Sequence, residues 1–166
     1  MKSKLRELGL NLLNAGLTVG TVEHCTSGLL GASISSMCGL ETVYGGTIVA
    51  VDARRMEKLL DVSHNLFGRN GVVSSQVACQ MALGGLYKLE VDVCVSVVGN
   101  VVPPMSSEVE PDNTVWICVA VMNDKKVDFK YQKLEVEGRR GENIETCINE
   151  ALDVLLNEVK RIINEE

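Results

Sequence analysis

Residues 23–28, which read Glu-His-Cys-Thr-Ser-Gly, place an acid, an imidazole, a thiol and two hydroxyls on consecutive positions. A β-branched run over residues 17–22 precedes them and a helical apolar pattern follows from Leu29. The sequence therefore predicts a strand-to-helix corner with Thr26 or Ser27 as the helix N-cap. The first turn of a helix offers unpaired N–H donors and the positive end of its dipole to an anion. The corner is a candidate site for a phosphate or a carboxylate, and the alternative is a capped surface turn that binds nothing.

The same corner holds the candidate nucleophile of the chain. A thiol at a helix amino terminus has a lowered pKa, so we expect Cys25 to be the first thiol to react in the folded protein. His24, with Glu23 or Glu41, would complete a Cys/His arrangement, although adjacent side chains in a chain seldom point the same way. His64 is an isolated histidine, and such a residue more often caps a helix or pairs locally than ligates a metal ion. Two histidines without a matching carboxylate spacing predict no metal site.

Helical and strand patterns alternate along the chain and must position these groups. Helices are predicted over residues 5–13, 29–34, 53–60, from 63, 75–90 and 142–163, and strands over 17–22, 42–51, 91–98, 114–122 and 127–136. Asp52 and Ser74 or Ser75 are the expected caps of two helices, and Gly45-Gly46 suggests a bulge. Alternation of this kind predicts an α/β fold, a three-layer α/β/α sandwich with a mostly parallel (mixed) sheet and an antiparallel pair near the carboxyl terminus.

Two consequences follow for packing and for the site. Gly84 and Gly85 weaken their predicted helix by roughly 1 kcal/mol each relative to alanine, so close packing against a neighbour is expected to require them. Ligands of such sheets gather beyond the carboxyl ends of the strands, which would place residues 23–28, the Asp52 region and residues 99–105 on one rim. Asp52 with Arg54 and Arg55 could bind an anion there, or could simply begin a solvated helix.

Length, net charge and cysteine content limit the number of domains, the kinds of partner and the location that the sequence predicts. The chain has 166 residues without a linker-like segment, which predicts one domain over residues 1–166. A net charge of −6 argues against nucleic-acid binding, and no apolar stretch approaches the roughly 18 residues that span a bilayer. The six cysteines are scattered and the amino-terminal segment resembles an amphipathic helix rather than a signal peptide. We expect a cytoplasmic protein with reduced thiols and no bound cofactor.

Residues 21–28, Thr-Val-Glu-His-Cys-Thr-Ser-Gly, resemble the Thr-Ala-Glu-Ser-Cys-Thr-Gly-Gly signature of the CinA C-terminal domain family. Active members of that family are nicotinamide mononucleotide deamidases of the PncC type. Further similar segments follow in the family's order, at residues 61–64 with 70–74, 113–116 and 138–145. The resemblance implies the family's fold over nearly the whole chain, a homodimer, and a nicotinamide nucleotide or another small anionic ligand.

The chain departs from the family at the positions that the resemblance makes catalytic. Active members resemble a serine/lysine amidase, and their two serine positions, tyrosine and lysine fall here on His24, Glu41, Val51 and Met56. The family's glycine-rich loop becomes residues 99–105, where valines and prolines replace glycines. The positions expected to bind substrate are Glu23, His24, Cys25, Thr26, Gly28, Gly99, Asn100 and Arg140.

These substitutions favour an impaired or inactive relative of the nicotinamide-nucleotide amidohydrolases that binds a ligand or a partner. Arg54 or Arg55 cannot replace the lysine as a base, because a guanidinium stays protonated. Two alternatives stay open. One is an active deamidase that uses a shifted set of groups, and the other is a structural subunit of a homo- or hetero-oligomer. The strand at residues 127–136 would present an edge for such an assembly.

Overall fold

Six α-helices and five strands form the part of the chain that the structure, a computed structural model, describes: residues 1–37, 39–102, 113–124 and 126–165. The helices are α1 Lys2–Ala15, α2 Leu29–Ser35, α3 Ala53–Leu60, α4 His64–Asn70, α5 Ser75–Lys88 and α6 Arg140–Glu165. The strands are β1 Val19–Glu23, β2 Tyr44–Val49, β3 Val93–Gly99, β4 Thr114–Asn123 and β5 Lys126–Glu135. A short 3-10 turn, Leu40–Thr42, precedes β2.

The strands form one mixed sheet in the order β2-β1-β3-β4-β5. β1 pairs in parallel with both β2 and β3, and β4 runs antiparallel to β3 and to β5. Four strands therefore point in one direction and β4 alone is reversed. The predicted mostly parallel sheet with an antiparallel pair near the carboxyl terminus is confirmed.

The sheet is the middle of three layers. Apolar residues of α1, α2 and α6 pack on one face, and those of α3, α4 and α5 pack on the other. β3 lies at the centre, and all seven of its residues are buried, as a continuous apolar run covered on both faces requires. β5 is an edge strand and most of its residues are exposed. The predicted three-layer sandwich is confirmed.

Glycines let α5 lie close to its neighbours. A Cβ atom on Gly84 would lie 2.2 Å from the carbonyl oxygen of Leu60, at the end of α3. A Cβ atom on Gly85 would lie 2.2 Å from Cγ2 of Val22 in β1. Since real Cβ atoms do not approach other atoms so closely, the close packing expected of these two glycines is confirmed.

Local signals set several boundaries as expected. The side chains of Asp52 and Ser74 accept hydrogen bonds from the first turns of α3 and α5, as predicted. The register between β1 and β2 slips beside Val19, and Gly46 adopts φ 124°, so the predicted bulge is present. A bulge here suits glycine, because few other residues adopt that φ.

Candidate functional site

The carboxyl ends of β1, β2 and β3 meet at one rim of the sheet. Glu23, the last residue of β1, stands in register with Val49 of β2 and Val97 of β3. Directly beyond it, the backbone N–H of His24 donates to the carbonyl of Val97 at 2.9 Å. The structure thus brings the corner at residues 23–28 together with the segments that follow β2 and β3.

The carboxylate of Glu23 is the polar centre of the corner. Its side chain is fully buried, and its two oxygens accept five hydrogen bonds. The donors are Thr26 Oγ1 at 2.5 Å, Gly28 N at 2.9 Å, Leu30 N at 3.1 Å, Gly31 N at 2.8 Å and Thr21 Oγ1 at 3.2 Å. Three of these donors are backbone N–H groups at the start of α2. The positive end of this helix is therefore neutralised by the chain's own carboxylate.

This arrangement corrects the predicted cap of α2. Its N-cap is Gly28, at φ 93° and without a side-chain cap, so the prediction of Thr26 or Ser27 is wrong. The hydroxyl of Thr26 donates to Glu23 instead of accepting from the helix, and Ser27 is exposed. The backbone donors that were expected to await a ligand anion are bound to Glu23.

A chain of hydroxyls extends from Glu23 towards the edge of the sheet. Thr21 Oγ1 lies 2.6 Å from Thr47 Oγ1, and the hydroxyl of Tyr44 hydrogen bonds to Thr47. A Cβ atom on Gly31 would lie 1.8 Å from Thr47 Oγ1, so α2 rests directly on these hydroxyls. This cluster was not predicted from the sequence, although Thr21 and Glu23 stand two residues apart and hence on the same strand face.

His24 connects two strands through its side chain. The backbone N–H of Gly99, the last residue of β3, donates to Nδ1 of the half-buried imidazole at 3.3 Å. Burial lowers the pKa of His24 below its usual value of 6.5, against smaller opposing effects of the Gly99 and Val51 backbone and the Asp52 carboxylate. The ring is therefore neutral at pH 7, and with Nδ1 as the acceptor its proton lies on Nε2.

We expect His24 to titrate below pH 6.5 in the folded protein. Because the folded state then binds fewer protons than the unfolded state, stability contributed by neutral His24 decreases as the pH falls through 6.5 towards the folded pKa. Nitrogen-proton NMR correlations of the two imidazoles across pH 4–8 measure this directly, and a His64→Asn variant assigns the signals. A folded pKa of His24 at or above 6.5 would contradict the burial of the ring.

Cys25 does not have the environment predicted for it. The thiol is buried, with 8% of the residue exposed. Its pKa is raised, first by a hydrogen bond with Cys147 of α6 and then by burial. The prediction of an exposed, activated thiol is therefore wrong, because the side chain points to α6 and not to the start of α2. Glu23, His24 and Cys25 engage α2, β3 and α6 respectively, so they form no Cys/His arrangement.

The first turn of α6 closes the rim beside the end of β3. Asn143 is buried, and its Nδ2 donates to the carbonyl of Val101 at 3.1 Å and to that of Gly138 at 2.8 Å. The backbone N–H of Gly138 donates back to Asn143 Oδ1 at 2.8 Å. Arg140, a predicted binding residue, begins α6 and is exposed near this contact. Asn143 was not singled out from the sequence, since an asparagine in a helix gives no local sign of this role.

The segments after β3 and before β4 lie side by side on the rim. A Cβ atom on Gly99 would lie 2.6 Å from Cα of Val115, and the backbone N–H of exposed Asn100 donates to the Thr114 carbonyl at 3.0 Å. Asn113 Oδ1 is buried and has no hydrogen-bond partner in the part of the chain that the structure describes. The rest of the predicted loop, residues 103–105, lies outside the described residues, as do residues 106–112.

Asp52 begins α3 at the same rim. Its carboxylate accepts from the backbone N–H of Arg55 at 2.8 Å and pairs with the Arg55 guanidinium. The hydrogen bond from the Arg55 backbone is the largest of the causes that lower the pKa of Asp52. The structure thus shows the solvated helix start that was the alternative to an anion site.

Two further features concern ligands and environment. Within residues 1–37, 39–102, 113–124 and 126–165, no three His, Cys, Asp or Glu side chains converge as metal ligands would. No helix in those ranges combines the length and apolar character needed to cross a bilayer.

Phe129 and Tyr131 are exposed on the edge strand β5. The homodimer stays a prediction.

The sequence model of the CinA C-terminal domain matches residues 2–159. The chain belongs to the CinA C-terminal domain family. A CinA-like protein of Dictyoglomus turgidum is 33% identical over 156 residues, which cover 93% of this chain and 37% of that protein. The Protein MG115 homolog of Mycoplasma pneumoniae is 35% identical over 125 residues, covering 75% of this chain and 78% of that protein. The chain thus spans about a third of the length of the long CinA-like relatives.

Solved CinA structures share the fold. A competence-damaged protein (CinA) superfamily protein from Klebsiella pneumoniae superposes with a TM-score of 0.87 at 18% identity, covering 96% of this chain and 97% of that one. The competence/damage inducible protein CihA from Agrobacterium tumefaciens gives 0.85 at 25% identity, covering 93% and 94%. The predicted CinA C-terminal domain-like fold is confirmed.

The structure separates the four positions on which the resemblance is expected to place the CinA catalytic groups. His24 and the exposed Val51 lie on the rim. Glu41 is exposed in the 3-10 turn before β2. Because β2 begins opposite the first residue of β1, Glu41 lies at the amino ends of these strands, and the rim lies at their carboxyl ends. Met56, a residue of α3, is fully buried in the core. Glu41 is therefore distant from the rim, and Met56 presents no exposed side chain there.

Proposed function

We propose that this CinA domain binds a small anionic ligand of the nicotinamide-nucleotide class at the rim and does not hydrolyse it. The observation that carries the proposal is the state of His24, which stands where the family has its first serine. Its imidazole is half-buried, is neutral at pH 7 and accepts the N–H of Gly99. A side chain held in this way connects the end of β1 to β3, and it does not stand free to attack a substrate.

The other parts of an amidase are also altered. Amide hydrolysis without a metal requires a nucleophile, a base and donors for the oxyanion. The thiol of Cys25 is buried with a raised pKa, and the position aligned with the family's lysine is the buried Met56. The N–H groups of Gly28, Leu30 and Gly31 are bound to Glu23, so they are not available to an oxyanion.

Charge and an unpaired acceptor support ligand binding at the rim. Arg140 starts the 26-residue helix α6, and a cation beside a helix amino terminus favours a phosphate group. Asn113 Oδ1 is buried without a partner among the described residues. A buried acceptor left unpaired costs about 1–3 kcal/mol, and an amide or hydroxyl donor of a nucleotide would satisfy it.

The test combines calorimetric titration with an ammonia assay on the same reduced sample, using nicotinamide mononucleotide and its deamidated acid. We expect heat of binding and no ammonia release above the rate of a His24→Ala variant. Replacing Arg140 by alanine should weaken binding about tenfold, since a charge-assisted hydrogen bond contributes about 1.5 kcal/mol or more.

Lys88→Ala is the matched control for Arg140. It removes the same charge away from the rim, because Lys88 ends α5 just before the amino end of β3 and forms an exposed pair with Asp61. This variant should leave binding unchanged within about twofold. Ammonia release that His24→Ala abolishes would show an active deamidase with a shifted catalytic set. Absence of binding would reject the rim as a nucleotide site and favour a structural subunit.

A further inference from the structure

Cys79 of α5 and Cys118 of β4 bring two thiols together outside the rim. Their sulfur atoms lie 3.5 Å apart, although 39 positions separate the residues in sequence. Neither thiol takes part in the proposed function, and both are free. A disulfide requires the sulfurs to approach to about 2.05 Å, so a shift of roughly 1.5 Å, shared between the two side chains, would join them.

The contact between α5 and the sheet is close enough for such a bond. Ser96 is the register partner of Cys118, and its hydroxyl donates to the carbonyl of Ala78 at 2.7 Å. One short serine side chain therefore already bridges the sheet and the backbone of α5, next to Cys79. A Cβ atom on Gly85 would lie 2.6 Å from Cys94 Sγ, which shows the same close approach two turns further along the helix.

The two thiols differ in access and in proton affinity. Cys79 is partly exposed, whereas Cys118 is fully buried. The hydrogen bond from Cys118 lowers the pKa of Cys79, and the same contact, with burial, raises the pKa of Cys118. Cys79 is thus the thiol that an oxidant can reach as a thiolate, and Cys118 is the neighbouring thiol that would resolve it.

We propose that Cys79 and Cys118 are a peroxide-reactive pair that closes to an intramolecular disulfide between α5 and β4. In the first step the Cys79 thiolate attacks hydrogen peroxide, the O–O bond breaks, and Cys79 sulfenic acid and hydroxide form. In the second step Cys118 sulfur attacks the sulfenic sulfur, the S–O bond breaks, and water leaves with the thiol proton. Two electrons pass from the two thiols to one peroxide molecule.

The remaining described cysteines explain why this pair would react first. Cys25 and Cys147 also contact one another, but both are buried. Cys94 is fully buried and burial raises its pKa. Since peroxide reacts with accessible thiolates, these three thiols are protected in the folded chain. The inference is independent of what the rim binds.

The test treats the reduced, reductant-free protein with a few equivalents of hydrogen peroxide, removes the peroxide with catalase, and alkylates the unfolded chain. Intact mass should show two fewer alkylated thiols, and peptide mapping should find Cys79 linked to Cys118. A Cys79→Ser variant should lose thiols about tenfold more slowly or not at all. The Cys94→Ala variant removes an adjacent thiol outside the pair and should behave like the unaltered protein.

The peptide map of the unaltered protein decides the outcome even if a variant fails to fold. A link between any other two cysteines as the first product would overturn the proposal. So would sulfinic acid on Cys79 with Cys118 still alkylated, because Cys118 would then not be placed to resolve the sulfenic acid. A thiol count that peroxide leaves unchanged would show that Cys79 is not accessible, and would also overturn it.

Discussion

Replacing Glu23 by glutamine is expected to lower the free energy of unfolding by about 2–4 kcal/mol. The carboxylate is fully buried and accepts five hydrogen bonds, three of them from backbone N–H groups of Gly28, Leu30 and Gly31. A glutamine side chain has the same shape but must turn an NH₂ group towards at least one of these donors. Each buried donor left unpaired costs about 1–3 kcal/mol, and the charge-assisted hydrogen bonds become weaker.

Chemical denaturation followed by circular dichroism measures this change. Glu41→Gln is the matched control, because Glu41 is exposed in the turn before β2 and its replacement should change stability by no more than about 0.5 kcal/mol. If both variants were equally stable, Glu23 would not be the anion that α2 requires. The carboxylate of a ligand could then bind the N–H groups at the start of α2 in place of Glu23.

Replacing Gly84 by alanine is expected to destabilise the protein by about 2 kcal/mol or more, although alanine is the better helix former. The added Cβ would lie 2.2 Å from the carbonyl oxygen of Leu60 and 2.9 Å from its carbonyl carbon. These are backbone atoms, so the end of α3 must move away from α5. Overpacking of this kind costs typically 1–3 kcal/mol and occasionally more, which exceeds the roughly 1 kcal/mol that alanine contributes through helix propensity.

Gly68→Ala provides the opposite case in the same protein. Gly68 lies within α4, and nothing lies within 4 Å of a Cβ atom built there. This variant should be more stable by about 0.5–1 kcal/mol. Thermal unfolding of both variants checks the pair of predictions. A stabilising Gly84→Ala change would mean that α3 and α5 are not in contact as the structure places them.

Three polar side chains at the rim of this CinA domain are already hydrogen bonded to neighbouring segments of the chain. Glu23 binds the start of α2, His24 binds Gly99, and Asn143 fastens the start of α6 to Val101. Each of these polar groups is used to hold neighbouring segments together. Side chains that are already held by such hydrogen bonds lose less conformational entropy when a ligand binds.

Regular elements could be predicted because their signals are local. The continuous apolar run of β3 is typical of a strand covered on both faces, and Asp52 and Ser74 were expected as the caps of α3 and α5. The strand expected to present an edge, residues 127–136, corresponds to β5, which lies at the edge of the sheet. Side-chain periodicity, capping and turn conformation depend on a few neighbouring residues, so the sequence contains them.

The chemistry of the site depended on the tertiary structure. Cys25 looks like a helix-terminal thiol in sequence, yet its pKa is set by Cys147 of α6. The corner looks like a vacant anion site, yet Glu23 folds back over α2 and binds its N–H groups.

By itself, then, the sequence determined the family, the layers of the sandwich and the order of its elements. The tertiary structure decided which donors are occupied, which thiols meet and which side chains lose water. These properties depend on distances between atoms of segments far apart in the chain, and hydrogen bonding and desolvation change steeply with those distances.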